Sequence, residues 1–242
     1  MINNEKRVGN FTSSGIGALM SPGTMATYIE EKNYERKLGR SLNSIVSAKP
    51  LSWGRLLEVR AFELLGLEYS LISKETIVHP EYAFWSGSPD GNKPNTVLDI
   101  KCPITLKSFC TFIECIVMVE TSLGVFEMDG LRSIKKVREK HKLGEDYYWQ
   151  LVSNAILANA EFAELIIYCP YKSELSEIRS SCEEYLGDPK EVNWIAYSND
   201  DDLPYILDGG LYKNITVIRF KIPEIDKISL TTKVKLASLK LW

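Results

Sequence analysis

Two short runs carry side chains whose types and spacing could do chemistry: Ser88-Pro89-Asp90-Gly91, and Asp99-Ile100-Lys101-Cys102-Pro103. On an extended strand successive side chains alternate faces, so Asp99 and Lys101 share one face while Ile100 points into the core. The turn-forming residues Asn92-Lys93-Pro94-Asn95 between the runs predict a hairpin that returns Asp90 to the side of Asp99. Upstream, Glu58 stands beside the apolar stripe Leu57, Ala61 and Leu65, at the edge of the buried face of a predicted helix. Three acids and a lysine are thus expected to converge. Two carboxylates about 4 Å apart repel by roughly 4 kcal/mol at an effective dielectric near 20, so such a cluster calls for a cation. All-oxygen donors select a hard ion, Mg²⁺, with Mn²⁺ able to substitute. Acids, metal and lysine together suit phosphodiester hydrolysis, with the lysine orienting water or offsetting developing charge. Each fragment alone also has a plain reading: a common turn, and an exposed Asp–Lys pair on a strand.

The elements that must position these residues can be read from periodicity. A short capped helix is expected over residues 13–20, a charged and mostly exposed helix over 24–38, and a stronger one over 51–65 stopped by Gly66. Short β-type runs at 76–78, 82–85 and 96–102 predict a meander laid against that third helix. A long, largely buried helix is expected over 146–164, a core strand over 165–169, and an amphipathic helix over 173–186. Late strands are expected at 192–197 and 215–222, around the acidic loop Asp200-Asp201-Asp202. This order predicts one α/β domain over 1–242, a central mixed β-sheet flanked by helices, with C-terminal strands and a helix in 161–242.

The chain of 242 residues is 45% hydrophobic and 25% charged, which excludes disorder and low-complexity architectures. No apolar run approaches the ~20 residues of a membrane span, and the polar residues 1–10 do not read as a secretory signal. A net charge of −3 argues against a basic nucleic-acid coat but not against an enzyme that holds its own cations. The five cysteines form no C-x-x-C pair and only His79 and His141 accompany them, so buried thiols in a reducing cytoplasm are expected, not a zinc site.

The wording Trp53-Gly54-Arg55-Leu56-Leu57-Glu58, Ser88-Pro89-Asp90-Gly91 and Asp99-Ile100-Lys101-Cys102-Pro103 resembles the YqaJ-like viral recombinase (phage lambda exonuclease) family of the PD-(D/E)xK nuclease superfamily, over residues 7–160. The resemblance implies a PD-(D/E)xK nuclease core and a Mg²⁺-dependent exonuclease that resects duplex DNA 5′ to 3′, leaving 3′ single strands for recombination. Carried over by position, Asp90 and Asp99 become metal ligands with the Ile100 carbonyl. Glu58 is the third acid, Lys101 the catalytic lysine, and Gln150 a helix glutamine that orients the site. Arg7, Ser14 and Ser88 match residues that hold the terminal 5′-phosphate; read without the resemblance, Arg7 is a solvated arginine and Ser14 a helix cap. The family's second glutamine is replaced here by Val152, and the stretch between Lys101 and Gln150 is longer than expected. The resemblance further implies a ring-shaped homotrimer and a single-strand annealing partner in a bacterial cytoplasm, phage or prophage encoded.

That long stretch holds Arg132, Lys135, Lys136, Arg138, Lys140 and Lys142, a run that either contacts DNA phosphates or forms a solvated face. Tyr147, Tyr148 and Trp149 have the chemistry to stack on bases, with core packing expected for at least two of them. The His79-Pro80 turn and the acidic loop read as structural. Rival readings are a restriction- or repair-type endonuclease and an inactive DNA-binding module with the same fold. A Cas4-like nuclease is disfavoured because its iron–sulfur cluster needs a cysteine before the nuclease motifs, and the first here is Cys102.

Overall fold

The structure is a computed structural model that describes residues 6–42, 49–66 and 76–242. A short strand β1 (Phe11–Thr12) leads through a 3₁₀ helix (Ser13–Leu19) to helices α1 (Pro22–Leu38) and α2 (Lys49–Leu65). Strands β2 (Ile77–Val78), β3 (Trp85–Gly87), β4 (Gly91–Lys93) and β5 (Thr96–Lys101) follow. Next come α3 (Leu106–Glu114), the hairpin β6 (Met118–Glu120) and β7 (Phe126–Met128), α4 (Gly130–Lys140), α5 (Gly144–Leu157) and β8 (Phe162–Tyr168). The chain closes with α6 (Leu175–Ser181), α7 (Asn193–Ala196), β9 (Ile215–Lys221) and α8 (Glu224–Ser238).

The main sheet has the order β4-β5-β8-β9. Its central pair β5 and β8 is parallel, with Asp99 opposite Leu165, and both flanking pairs are antiparallel. Strand alternation sends Val97, Ala163, Leu165 and Ile167 to a core shared with α5, α4 and α8, and Leu98, Ile100, Ile166 and Tyr168 to a second core under α2, α6 and α7. The mixed α/β architecture expected from the sequence is therefore present, with helices on both faces of the sheet. No helix among the described residues is long and apolar enough to cross a membrane.

Several local expectations are corrected. The meander is split: β2 and β3 join β1 in a separate small sheet ordered β1-β3-β2, and only β4 and β5 enter the main sheet. The strand expected at 82–85 begins at Trp85, because Tyr82 closes a turn onto the Trp85 N–H. The helix expected to run to 164 stops at Leu157; Asn159 takes a left-handed backbone (φ 51°), and Phe162 already lies in β8. The apolar run at 192–197 is a helical turn rather than a strand, its Val192 and Ile195 buried in the second core. The helix at 173–186 shortens to α6. Helix α1 is less exposed than its charge suggests, since Tyr28, Lys32, Asn33 and Glu35 are buried along one stripe. The long insertion is occupied by α3, the β6–β7 hairpin and α4.

Candidate active site

The hairpin geometry carries the acids. Asp90 immediately precedes β4, where Gly91 faces Leu98, so the register sets Asp90 beside Asp99. Asn95, with φ 56°, makes the tight return between the two strands. The Asp90 carboxylate accepts the Ile100 N–H at 2.7 Å, capping the end of the hairpin. Asp99 is fully buried; its Oδ1 accepts from Gln150 Nε2 at 2.8 Å, and Lys101 Nζ lies 2.7 Å from Oδ2. That second contact is a charge pairing without aligned hydrogen-bond geometry. The shared face of Asp99 and Lys101 thus turns to α5, as alternation requires. The Lys101 ammonium also sits 4.7 Å from the centre of the half-buried Tyr147 ring. Glu58, half-buried on α2, acts electrostatically on Asp90 and Cys102.

Burial, then the Asp99 and Glu58 carboxylates, push the Asp90 carboxyl well above its usual range, against the pull of Lys101 and the Ile100 N–H. Burial disfavours the Lys101 ammonium, but Asp99 and Asp90 outweigh it and hold the lysine above its ordinary value. Burial together with Glu58 and Asp90 raises the Cys102 thiol, so that sulfur stays protonated and is no nucleophile. Among the described residues no three His, Cys, Asp or Glu side chains group closely enough to hold an ion by themselves. An ion here needs a donor beyond acid side chains, a place the expected ligand set gives to the Ile100 carbonyl. The site nonetheless suits a hard cation: its donors are oxygens, and Asp99 Oδ2 is a buried oxygen without an aligned donor.

A second cluster lies on the N-terminal loop. Arg7 Nη2 donates to Ser14 Oγ at 3.3 Å, and Thr12 Oγ1 is 3.5 Å from the same hydroxyl. A cleft of about 280 Å³ beside it is lined by Thr12, Ser14, Tyr28 and Lys32 together with the carboxylates of Glu31 and Glu35. Ser88 follows β3, which runs alongside β1, and its hydroxyl donates to Thr76 Oγ1 at 3.2 Å. Helix α5 joins the two clusters: Gln150 reaches Asp99, while Ser153 Oγ accepts from Trp85 Nε1 and lies 2.8 Å from Ser13 Oγ. One turn from Gln150, Asn154 is fully buried against Gly87, where a Cβ would come within 2.6 Å of its Oδ1. Ser153 and Asn154 are site-supporting residues that the sequence reading did not single out; their spacing of three and four from Gln150 is the signal that could have found them.

The basic run forms α4 and the turn after it. Lys135 is exposed and Lys136 half-buried, whereas Arg138 donates twice to Glu145 at 3.0 and 3.1 Å and lies over the Tyr148 ring. Arg138 is therefore committed within the protein, unlike Lys135. Tyr148 and Trp149 are buried, as expected. His79 stacks on Trp85, and Asp200 pairs with Arg179, both structural contacts.

No family model matches the chain, and no curated protein does. Among solved structures, the fold resembles the alkaline exonuclease LHK-Exo from Laribacter hongkongensis, with TM-score 0.58 and 16% identity over 97% of this chain and 88% of that one. The complex of LHK-Exo with dAMP gives TM-score 0.58 and 17% identity over the same shares. A phage related exonuclease from Haemophilus somnus 129PT gives 0.56 and 15% identity, over 96% of this chain and 92% of its own. At such low identity the likeness is one of fold, and it extends over nearly the whole chain.

Proposed function

We propose that this chain is a phage-type DNA exonuclease that digests one strand of a duplex 5′ to 3′ from a 5′-phosphorylated end, using Mg²⁺ or Mn²⁺. The observation that carries the reading is the buried Asp99 carboxylate, held between the Gln150 amide and the Lys101 ammonium with Asp90 beside it on the hairpin. An acid pair packed this way, at the end of a central strand, is costly unless its charge has a use. The fold shared with an alkaline exonuclease and a phage related exonuclease supports the same reading.

In this proposal Asp90, Asp99 and the Ile100 carbonyl would hold the ion, with Glu58 contributing negative charge from α2. When bound there, a divalent ion supplies Lewis-acid polarisation of the phosphoryl oxygen and a more acidic water. Lys101 orients the attacking water or offsets charge developing on the phosphoryl group. Gln150 fixes the orientation of Asp99. Arg7 and Ser14 bind the terminal phosphate through a charge-assisted fork and a hydroxyl, with Ser88 adding a second hydroxyl. A homotrimeric ring, a single-strand annealing partner, a cytoplasmic location and a role in recombination belong to the same proposal; a ring would let a chain of net charge −3 stay on DNA by topology.

The test compares end-labelled linear duplexes with covalently closed circles, in Mg²⁺ and in EDTA. Release of nucleotides from 5′-phosphorylated linear ends, only with Mg²⁺ and with circles untouched, is the expected result. Cutting of closed circles would establish the endonuclease alternative, and no release at all the inactive binding module.

A further inference from the structure

The buried stripe of α1 converges on the loop that carries Arg7 and Ser14. Gly9 is gripped on both of its peptide groups by consecutive residues of that helix. Its N–H donates to Glu35 Oε2 at 3.0 Å, and its carbonyl accepts from Arg36 Nε at 2.8 Å. Arg36 Nη2 also reaches Asn10 Oδ1 at 3.5 Å, and the Asn10 N–H closes a turn onto the Arg7 carbonyl. Gly9 has φ +68°, and a Cβ there would come within 2.4 Å of Arg36 Cγ, so the grip depends on glycine. Further along the loop, the Thr12 N–H donates to Tyr28 Oη at 3.1 Å. Tyr28, Lys32, Glu35 and Arg36 stand at i, i+4, i+7 and i+8, one side of the helix.

Glu35 is only 3% exposed and takes four donors: Gly9 N–H, Lys32 Nζ at 2.8 Å, Ser41 Oγ at 3.2 Å and Leu42 N–H at 3.3 Å. Burial alone would raise its carboxyl, but these donors hold it below the usual carboxylate range. A buried, ionised, four-fold bonded carboxylate is a rigid node. The node is tied to the residue two positions after Arg7, and the helix above it to the residue two positions before Ser14.

We propose that Glu35 and Arg36 are positioning residues that set the selectivity of this protein for phosphorylated DNA ends, by locking the Gly9 turn so that the Arg7 guanidinium and the Ser14 hydroxyl face one phosphate together. The inference rests on the assignment of Arg7 and Ser14 to the terminal phosphate. A clamp of this kind acts on recognition of the end and leaves the acid cluster on β5 unaltered, so it divides binding of phosphorylated ends from turnover.

The experiment measures kcat and KM on duplexes with 5′-phosphate and with 5′-hydroxyl ends for wild type, Arg36→Ala and Glu35→Gln, with a thermal melt of each. Arg36 is exposed, so its variant folds and decides the matter even if the buried Glu35→Gln substitution does not. The preference for phosphorylated ends, as a ratio of kcat/KM, should fall about tenfold, in line with the loss of a hydrogen bond to a charged group. The fall should come through KM for the phosphorylated end, with kcat on hydroxyl ends within about twofold of wild type. A wild-type preference retained in Arg36→Ala, or equal losses on both kinds of end, overturns the inference alone. A wild-type protein with no preference overturns the Arg7–Ser14 assignment and the inference with it.

Discussion

Replacing Asp90 by asparagine removes one charge from the acid pair while keeping an oxygen for the Ile100 N–H. The hairpin register sets Asp90 beside Asp99, and side chains so opposed lie about 5 Å apart. At an effective dielectric near 20, two unit charges at that distance repel by about 3 kcal/mol. Lys101 returns part of this by attracting both carboxylates, so the metal-free protein should gain roughly 1–3 kcal/mol from Asp90→Asn. For a chain of this size that is a rise in Tm of about 3–10 °C. The pH dependence follows from the raised Asp90 pKa. Where the carboxyl is protonated in both folded and unfolded chains, below its ordinary range, the substitution gains nothing. The gain grows as pH rises through that range towards the folded pKa, and is complete above it. Thermal melts in EDTA at pH 4 and pH 8 should therefore show little difference at the first and a clear rise at the second. Added Mg²⁺ should stabilise wild type more than the variant, narrowing the gap, while nuclease turnover falls by at least about 10². A variant less stable than wild type in EDTA at pH 8, or one that keeps full turnover, would refute the reasoning.

Asn154→Leu tests the polar interior behind Gly87. Both polar atoms of the Asn154 side chain are buried and without a partner, so an apolar residue of similar shape should raise Tm by about 2–4 °C; a fall would mean the amide is bonded after all. For the basic helix, Lys135→Ala with Lys136→Ala should flatten the dependence of DNA affinity on log salt by about 1–2 in slope, whereas Arg138→Ala should leave the slope alone and lower Tm by breaking the Glu145 pair. The opposite pattern would exchange the roles given to these cations.

What could be read from the sequence was local. Asp90, Asp99 and Lys101 lie within one hairpin, and strand alternation and turn chemistry act over a few residues, so their relative arrangement was foreseeable. Gln150 is 51 residues from Asp99 and was reached only through family resemblance. The run at 192–197 misled because a short apolar stretch fits a buried strand and a buried helical turn equally well; burial of Val192 and Ile195 in the second core selects the turn. The stripe on α1 was invisible for a different reason. Besides Tyr28 and Ile29 it buries a lysine, an asparagine and a glutamate, which composition assigns to solvent, and partners distant in sequence, Gly9 and Lys240 among them, join the Lys32–Glu35 pair in making their burial tolerable. The end of the 146–164 helix was overrun because Asn159 breaks it through a left-handed backbone rather than through Gly or Pro.

Helix α5 touches the Asp99 cluster through Gln150 and the Ser13 region through Ser153, three residues and about 4.5 Å of rise apart. A rod fastened at two places cannot stretch. Under the proposed function it works as a ruler: the held terminus and the point of cleavage keep one constant offset, so the digest should consist of fragments of a single length, whatever the DNA sequence being consumed.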